Sequence, residues 1–464
     1  MVSGTGRHAE RPATFRDVLG VREFRAIYAA STLSWFGDYI ARAAITALVY
    51  QATQSVPASA AAFAITYAPW LLGGSFLVSL AERYPYRTVM IWCDVARAIG
   101  MSAVAIGVGM NLDVLPLLAL VLVCALFSPP FDAARSAILP NVLDGDRYVV
   151  GVGLHTATAQ PAQVAGYVVG SALAAVDPRI ALVINAGTFA VSALLLRLRV
   201  YLREPALAPA KRTHLFGETV DGFRLVFTSP ALRSVVLVVL CGAAFVVVPE
   251  ALAAAWAPDL ASEPRYRGWV QGVIMGSVPL GSILGALSVS RLVPPSTRQQ
   301  LLRPLAVAVP LTLAPMLLNP PLLVVALLAG ASGFAVGGLV PIANAQFVRA
   351  LPNGYRARAF GVVQAGLHLV QGAAVLITGA LADAFRLPVV IGMWSLGGVG
   401  LMLLLSLTWP SPRVFDRAVA VAAAANNGGG AVPDLPALRP RRPSSVPHVG
   451  RHRAQATQPG TIEP

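Results

Sequence analysis

The feature that most constrains this chain is a series of about twelve apolar runs, each near the length of a membrane span and separated by short polar turns. A helix needs roughly 20 mostly apolar residues to cross a ~30 Å hydrocarbon core. Lipid offers no partner for open backbone groups, so such runs are expected to be helical throughout. The runs fall near 24–52, 57–81, 88–110, 114–133, 149–175, 179–199, 233–257, 266–290, 304–319, 321–345, 358–383 and 388–409. Turns such as Gln54-Ser55, Asn111-Leu112-Asp113, Asp177-Pro178-Arg179 and Asn319-Pro320-Pro321 separate them. The ninth run is short and holds Pro310 and Pro315, which makes it the weakest. A transmembrane barrel would alternate apolar and polar residues in segments of ~10, and these runs are continuous. Charged residues make up 12% of the chain, against about a quarter in a soluble domain. The fold class expected is therefore an all-α, multi-pass membrane protein.

A formal net charge of +14 raises the question of a nucleic-acid partner. The placement of the charge answers it. If the N-terminus is cytoplasmic, Arg83, Arg87, Arg135, Arg147, Arg203, Lys211 and most other cations fall in or beside cytoplasmic loops, while Arg179, Arg265, Arg267 and Arg386 fall outside. That is the positive-inside asymmetry, and it accounts for the charge with the bilayer as partner and no nucleic acid. Both termini are expected to be cytoplasmic, in a cell membrane. Cys93, Cys124 and Cys241 lie inside runs without CxxC spacing and read as small buried apolar residues. Residues 1–23 are polar and the first run is full length, so no cleavable signal is expected.

The longest internal polar stretch, about 200–232, splits the runs six and six. The expected organisation is a tail (1–23), a six-helix bundle (24–199), a cytoplasmic linker (200–232), a second six-helix bundle (233–409) and a disordered tail (410–464). Many transporters are built from two such halves. A loose internal repeat agrees: Leu139-Pro140-Asn141 precedes Gly153-Leu154-His155 as Leu351-Pro352-Asn353 precedes Gly366-Leu367-His368. After Pro410 the chain is rich in Ala, Gly, Pro and Arg, a composition that cannot bury a core.

Four stretches then carry a family resemblance. Ser34-Trp35-Phe36-Gly37-Asp38 is followed by Leu48-Val49-Tyr50-Gln51-Ala52-Thr53-Gln54-Ser55. Leu80-Ala81-Glu82-Arg83-Tyr84-Pro85-Tyr86-Arg87 follows the second run. Phe127-Ser128-Pro129-Pro130 leads into Ala134-Arg135-Ser136-Ala137-Ile138-Leu139-Pro140. Glu218-Thr219-Val220-Asp221-Gly222-Phe223-Arg224 stands before Pro230-Ala231-Leu232-Arg233. Together they resemble the major facilitator superfamily, and within it the drug and siderophore efflux branch. The loop motif departs from the pattern at Val78, Glu82 and Pro85, and Gly166-Tyr167 stands where exporters often have Gly-Pro. The resemblance implies two six-helix halves and proton-coupled export of an amphipathic small molecule by alternating access. An uptake symporter and a non-transporting membrane sensor are the alternatives on the same fold.

Ionisable groups inside spans are costly and usually face the bundle interior. Asp38 and Arg42, at i and i+4, share a helical face; they form either a proton-binding pair or a fixed ion pair that orients the first helix. Glu250 follows Pro249 in the seventh span with no charge one turn away. A carboxyl buried in that way is a candidate proton carrier, whereas one at the outer end of the span would be a solvated Glu. The resemblance casts Glu82, Arg83, Arg87, Asp94, Arg97 and Arg135 as a charge network at the cytoplasmic gate; independent snorkelling side chains are the other reading. Tyr39, Tyr67 and Trp70 offer an aromatic cavity wall, and Gln160, Asn185, Gln364 and His368 offer polar contacts to substrate or to neighbouring helices. His155, like His368, is either a group that titrates at physiological pH or a hydrogen-bonded helix residue. Gly166/Gly170, Gly281/Gly285 and Gly333/Gly337, each four apart, permit close helix approach. No metal-ligand spacing, phosphate-binding loop or nucleophile–base set is visible. No cofactor, metal or catalytic residue is expected, and a monomer handling a small molecule and protons is.

Overall fold

The computed structural model of the chain describes residues 13–72, 83–203, 215–352 and 355–427, and every regular element among them is helical. The first half contains α1 (Phe15–Gly20), α2 (Arg22–Thr53), α3 (Val56–Ala64), α4 (Ala68–Leu72), α5 (Tyr86–Gly109), α6 (Val114–Ala125), α7 (Ser128–Ile138), α8 (Gly145–Val176) and α9 (Pro178–Arg199). A linker helix, α10 (Leu215–Thr228), precedes the second half. That half contains α11 (Pro230–Val246), α12 (Val248–Leu260), α13 (Pro264–Leu292), α14 (Pro295–Arg298), α15 (Leu302–Leu311), α16 (Leu322–Arg349), α17 (Arg356–Ala384) and α18 (Leu387–Leu407), and α19 (Pro412–Asn427) follows it.

Among the described residues nine spans are long and apolar enough to cross a bilayer. They do not include α2 and α8, although each has 32 residues, about 48 Å of helix at 1.5 Å per residue. These two carry more polar groups, and each packs against several neighbours rather than facing lipid alone.

Local chemistry sets where the helices stop. Gln54, Asn111 and Asn319 adopt φ of 51°, 55° and 50° at three of the expected turns. A left-handed residue at a helix end satisfies the last carbonyls, and Asn tolerates that conformation better than most side chains. Prolines divide several spans in two. Pro249 cannot donate to Phe245 O, and the Val247 amide takes that carbonyl instead, breaking α11 from α12. Pro129 and Pro130 do the same between α6 and α7. In the ninth span Pro310 and Pro315 end α15 at Leu311, and Ala314–Leu318 continues as a 3₁₀ turn.

Small residues set how closely helices approach. A Cβ added at Gly281 or Gly285 would lie 1.9 Å from Gly330 O or 2.0 Å from Phe334 O, and at Gly333 or Gly337 2.1 Å from carbonyls of α13. The α13–α16 contact is therefore backbone against backbone. Gly170 meets Ile40 of α2 in the same manner. Between the halves, α8 meets α13 where Gly268 lies against Ser171 and Ala175, and α3 meets α17 where Gly379 lies against Ala60. Gln271 adds a hydrogen bond to Ala43 O at 2.9 Å. The contacts between the halves at Gly268, Gln271 and Gly379 lie toward the end of the molecule distal to α1 and α19.

Two expectations change. The tail was expected to lack structure from residue 410, yet Pro412–Asn427 forms α19, with Val414, Phe415 and Val419 packed on the second half. The apolar residues of this stretch recur at helical spacing, a signal that a composition argument averages away. The linker is likewise part helix: Gly222 of α10 sits against the Arg358 backbone at the start of α17. Val78 and Glu82 lie outside the described residues.

Candidate site between the two halves

The charges of the first half gather around Arg97 of α5. It is 3% exposed and forms an ion pair with Asp38 of α2 and another, at 3.5 Å, with Asp94 one turn earlier. Asp94 is fully buried and also accepts from Ser34 and Ser192. The Arg97 guanidinium lies 3.9 Å from the Phe189 ring centroid, close enough for a cation–π contact. Buried charge is tolerated only when its bonds are met, and here three helices, α2, α5 and α9, supply them.

Asp38 was expected to pair with Arg42 on its own helix. It pairs with Arg97 instead. Among the described residues Arg42 has no carboxylate within ion-pair distance; it packs 5.4 Å from the Tyr39 and Phe63 centroids and 5.6 Å from Tyr67. The i, i+4 rule describes one exposed face, whereas α2 is surrounded, so successive turns point their side chains at different neighbours. Asp94 and Arg97 correspondingly join Asp38 inside the bundle rather than the loop residues of the expected gate network.

Arg42 also donates to Tyr167 Oη of α8 at 3.4 Å, and Tyr167 donates to Glu250 Oε2 of α12 at 3.4 Å. Gln163 Nε2 reaches Glu250 Oε2 at 3.5 Å and Tyr167 Oη at 3.4 Å. Glu250 is 6% exposed, which removes the solvated outer-end reading. Its hydrogen bonds all cross from the second half to the first, and all are long. A carboxyl held this way is buried but loosely tethered.

Two cavities flank this row. One, of about 210 Å³, lies within the first half against Trp35, Asp38, Arg42, Trp70, Arg97 and Asp132. The other, of about 370 Å³, lies between the halves, lined by Tyr67, Gln160 and Gln163 from the first and by Glu250, Asn344 and Gln364 among others from the second. Tyr39 and Arg42 line the first and Tyr67 the second, and Arg42 packs on the Tyr67 ring between them.

The remaining candidates divide. Tyr67 and Trp70 both stack on His368 of α17, at 5.6 and 4.9 Å between centroids, which builds an aromatic wall across the halves. His368 Nδ1 and Gln160 Oε1 are buried without a hydrogen-bond partner among the described residues. Asn185 is buried in the first half, where it accepts from Thr188 and lines the smaller cavity. His155 stacks on Trp35 at 4.3 Å. Of the gate residues, Arg83 is exposed, Arg87 donates to Arg197 O at 2.6 Å, and Arg135 pairs with Asp132 at 3.2 Å beneath the Trp35 ring. The contacts of Arg87 and Arg135 stay within the first half. Sequence reasoning missed Asp132 and Tyr167. The i, i+3 spacing of Asp132 and Arg135 was available as a signal, and Tyr167 was visible only as a departure from Gly-Pro.

Comparison with known proteins places the arrangement. The chain is 25% identical over 313 residues to the multidrug efflux pump Tap of Mycolicibacterium fortuitum, covering 64% of this chain and 74% of that one. Among solved structures it resembles a POT family transporter in complex with 5-aminolevulinic acid (TM-score 0.66, 12% identity, 85% of this chain and 96% of that one). It also resembles a bacterial homologue of the lysosomal transporter Spinster, inward-facing and unoccupied (TM-score 0.60, 14% identity, 86% and 97%). The nucleoside transporter NupG is similar too (TM-score 0.62, 14% identity, 83% and 98%). These structural likenesses bear on the fold. With residues 27–370 matching the family model, the chain belongs to the Major Facilitator Superfamily and is a multi-pass membrane transporter.

Proposed function

We propose that this transporter exports an amphipathic small molecule in exchange for protons, with Glu250 as the proton-carrying group. The observation that carries this reading is the position of Glu250: it lines the cavity between the halves, and its hydrogen bonds reach across to Tyr167 and Gln163 of the first half. An ionised Glu250 accepts from Tyr167 and is attracted to Arg42 behind it. A protonated Glu250 loses that attraction, which loosens the tie between the halves. A proton taken up there and a substrate seated in the cavity then compete for the same polar surface.

Direction rests on two supports and cargo on two more. The halves meet toward the distal end, and the arginine distribution favours a cytoplasmic proximal end. A cavity reached from that side loads an exporter. The relative named a multidrug efflux pump, together with the wall of Tyr67, Trp70 and His368, favours a cargo with a large apolar face.

The test is transport in proteoliposomes carrying an imposed pH gradient, using a panel of antibiotics and dyes. Wild-type protein is expected to drive cargo against its gradient and lose this with an uncoupler. Glu250→Gln should still bind cargo and let it equilibrate, with no response to the pH gradient. Full coupling in Glu250→Gln would discard the proton role. Accumulation in the direction of proton entry would assign uptake instead.

A further inference from the structure

A cavity of about 380 Å³ at the proximal surface has no part in the transport site. It is bounded by Ser229, Arg233, Thr408, Arg413 and Arg417, with Ser234 and Val414 completing the wall. Three guanidinium groups and no carboxylate line it. Arg233, Arg413 and Arg417 form no ion pair among the described residues. Asp416, the acid of α19, lines the neighbouring cavity beside Trp409 and Arg303.

The hydroxyls distinguish this place from an ordinary basic face. Ser234 donates to Pro230 O at 2.9 Å and Thr408 to Leu404 O at 2.9 Å, so both are occupied. Ser229 is 2% exposed and precedes α11 without capping it, so its hydroxyl is not engaged by the α11 amides. Three guanidinium groups without an ion pair, gathered round one cavity beside a serine hydroxyl, suit an anion with several acceptor oxygens. Residues of the first turns of α11 (Pro230, Arg233) and α19 (Arg413, Val414) line the same cavity, and helix N-termini favour negative charge.

Depth supplies the ligand class. Arg233 lies in the first turn of a membrane span and Thr408 directly follows the last residue of another. A cavity at that level meets lipid head groups. We propose that it binds a phosphate-bearing anion, namely the head group of an anionic phospholipid, held by Arg233, Arg413 and Arg417 with Ser229 as hydroxyl donor. In this arrangement α19 is a clamp that closes over the head group.

The experiment is native mass spectrometry of the full, delipidated protein titrated with phosphatidylglycerol, with phosphatidylcholine and with inorganic phosphate alone. Phosphatidylglycerol should bind most tightly. Arg413→Ala with Arg417→Ala should weaken it about 30-fold, at roughly fivefold per surface cation. Ser229→Ala should weaken it by about fivefold, the value of one hydrogen bond. Arg265→Ala with Arg267→Ala, at the distal end, should leave it unchanged. Equal phosphatidylglycerol binding by the Arg413/Arg417 variant, with its thermal unfolding unaltered, overturns the site. Tight binding of inorganic phosphate without any preference for phosphatidylglycerol overturns the lipid as its source.

Discussion

Replacing Arg97 by Met removes one cation from between two carboxyls while nearly keeping its volume. Asp94 is fully buried, so water cannot screen it once Arg97 is gone, whereas Asp38 is 35% exposed and stays partly solvated. Removing one partner of a buried pair costs about 3–5 kcal/mol, because an uncompensated charge remains. Here Asp94 carries most of the loss and the partly solvated Asp38 adds little, so about 3 kcal/mol is expected. Asp94 keeps its Ser34 and Ser192 donors, which limits the loss. Arg135→Met is the control: its partner Asp132 is 26% exposed, and about 1 kcal/mol is expected on the scale of partly solvated pairs. Equilibrium unfolding in mixed detergent micelles measures both. Adding Asp94→Asn to Arg97→Met should recover about 2 kcal/mol, a coupling a double-mutant cycle isolates. The reasoning fails if Arg97→Met costs no more than Arg135→Met, or if the cycle shows no coupling.

Three further outcomes follow from the geometry. Tyr167→Phe removes the hydroxyl between Arg42 and Glu250 and keeps the ring; it should lower pH-driven transport severalfold, and the double variant with Glu250→Gln should be no worse than Glu250→Gln alone in proteoliposome flux. Gly285→Ala places a methyl 2.0 Å from Phe334 O in a backbone-to-backbone contact, so α13 must move off α16, at about 1–3 kcal/mol by the scale of overpacked cores, read as reduced thermal stability in detergent. Asn319→Val forces a β-branched residue into a φ of 50° and should cost about 1–2 kcal/mol, whereas Asn319→Gly should be close to neutral in the same unfolding assay.

Much of the architecture was legible because it depends on neighbours in sequence. Gln54, Asn111 and Asn319 end helices where polar turns interrupt apolar runs, and Pro249, Pro310 and Pro315 break them where backbone donors are missing. Asp38 and Glu250 were legible as costly charges in spans. Their partners were not. Arg97 is 59 residues from Asp38 and Tyr167 is 83 from Glu250, so each pairing depends on helix rotation and on which helices adjoin. Apolar periodicity fixes neither for a helix buried on several sides.

The same physics links the weak hydropathy of α2 and α8 to their role. A helix facing lipid must be apolar along its length, whereas one facing other helices can hold polar groups if they are met. Asp38 and Arg42 lie on α2, and Gln160, Gln163 and Tyr167 on α8. Glu250 stands on α12, whose span is the most buried of the nine apolar ones at 78%. Among the polar residues that lower hydropathy in these two helices, Asp38 meets Arg97, and Gln163 and Tyr167 meet Glu250. In this chain a helix of span length that is too polar for lipid therefore marks the side of the bundle where the candidate site lies. Replacing Gln163 with Leu would make α8 a better membrane helix and should lower flux, by removing one of the two donors that hold Glu250 at the seam. If flux and its pH dependence are unchanged in Gln163→Leu, the polarity of α8 serves packing alone.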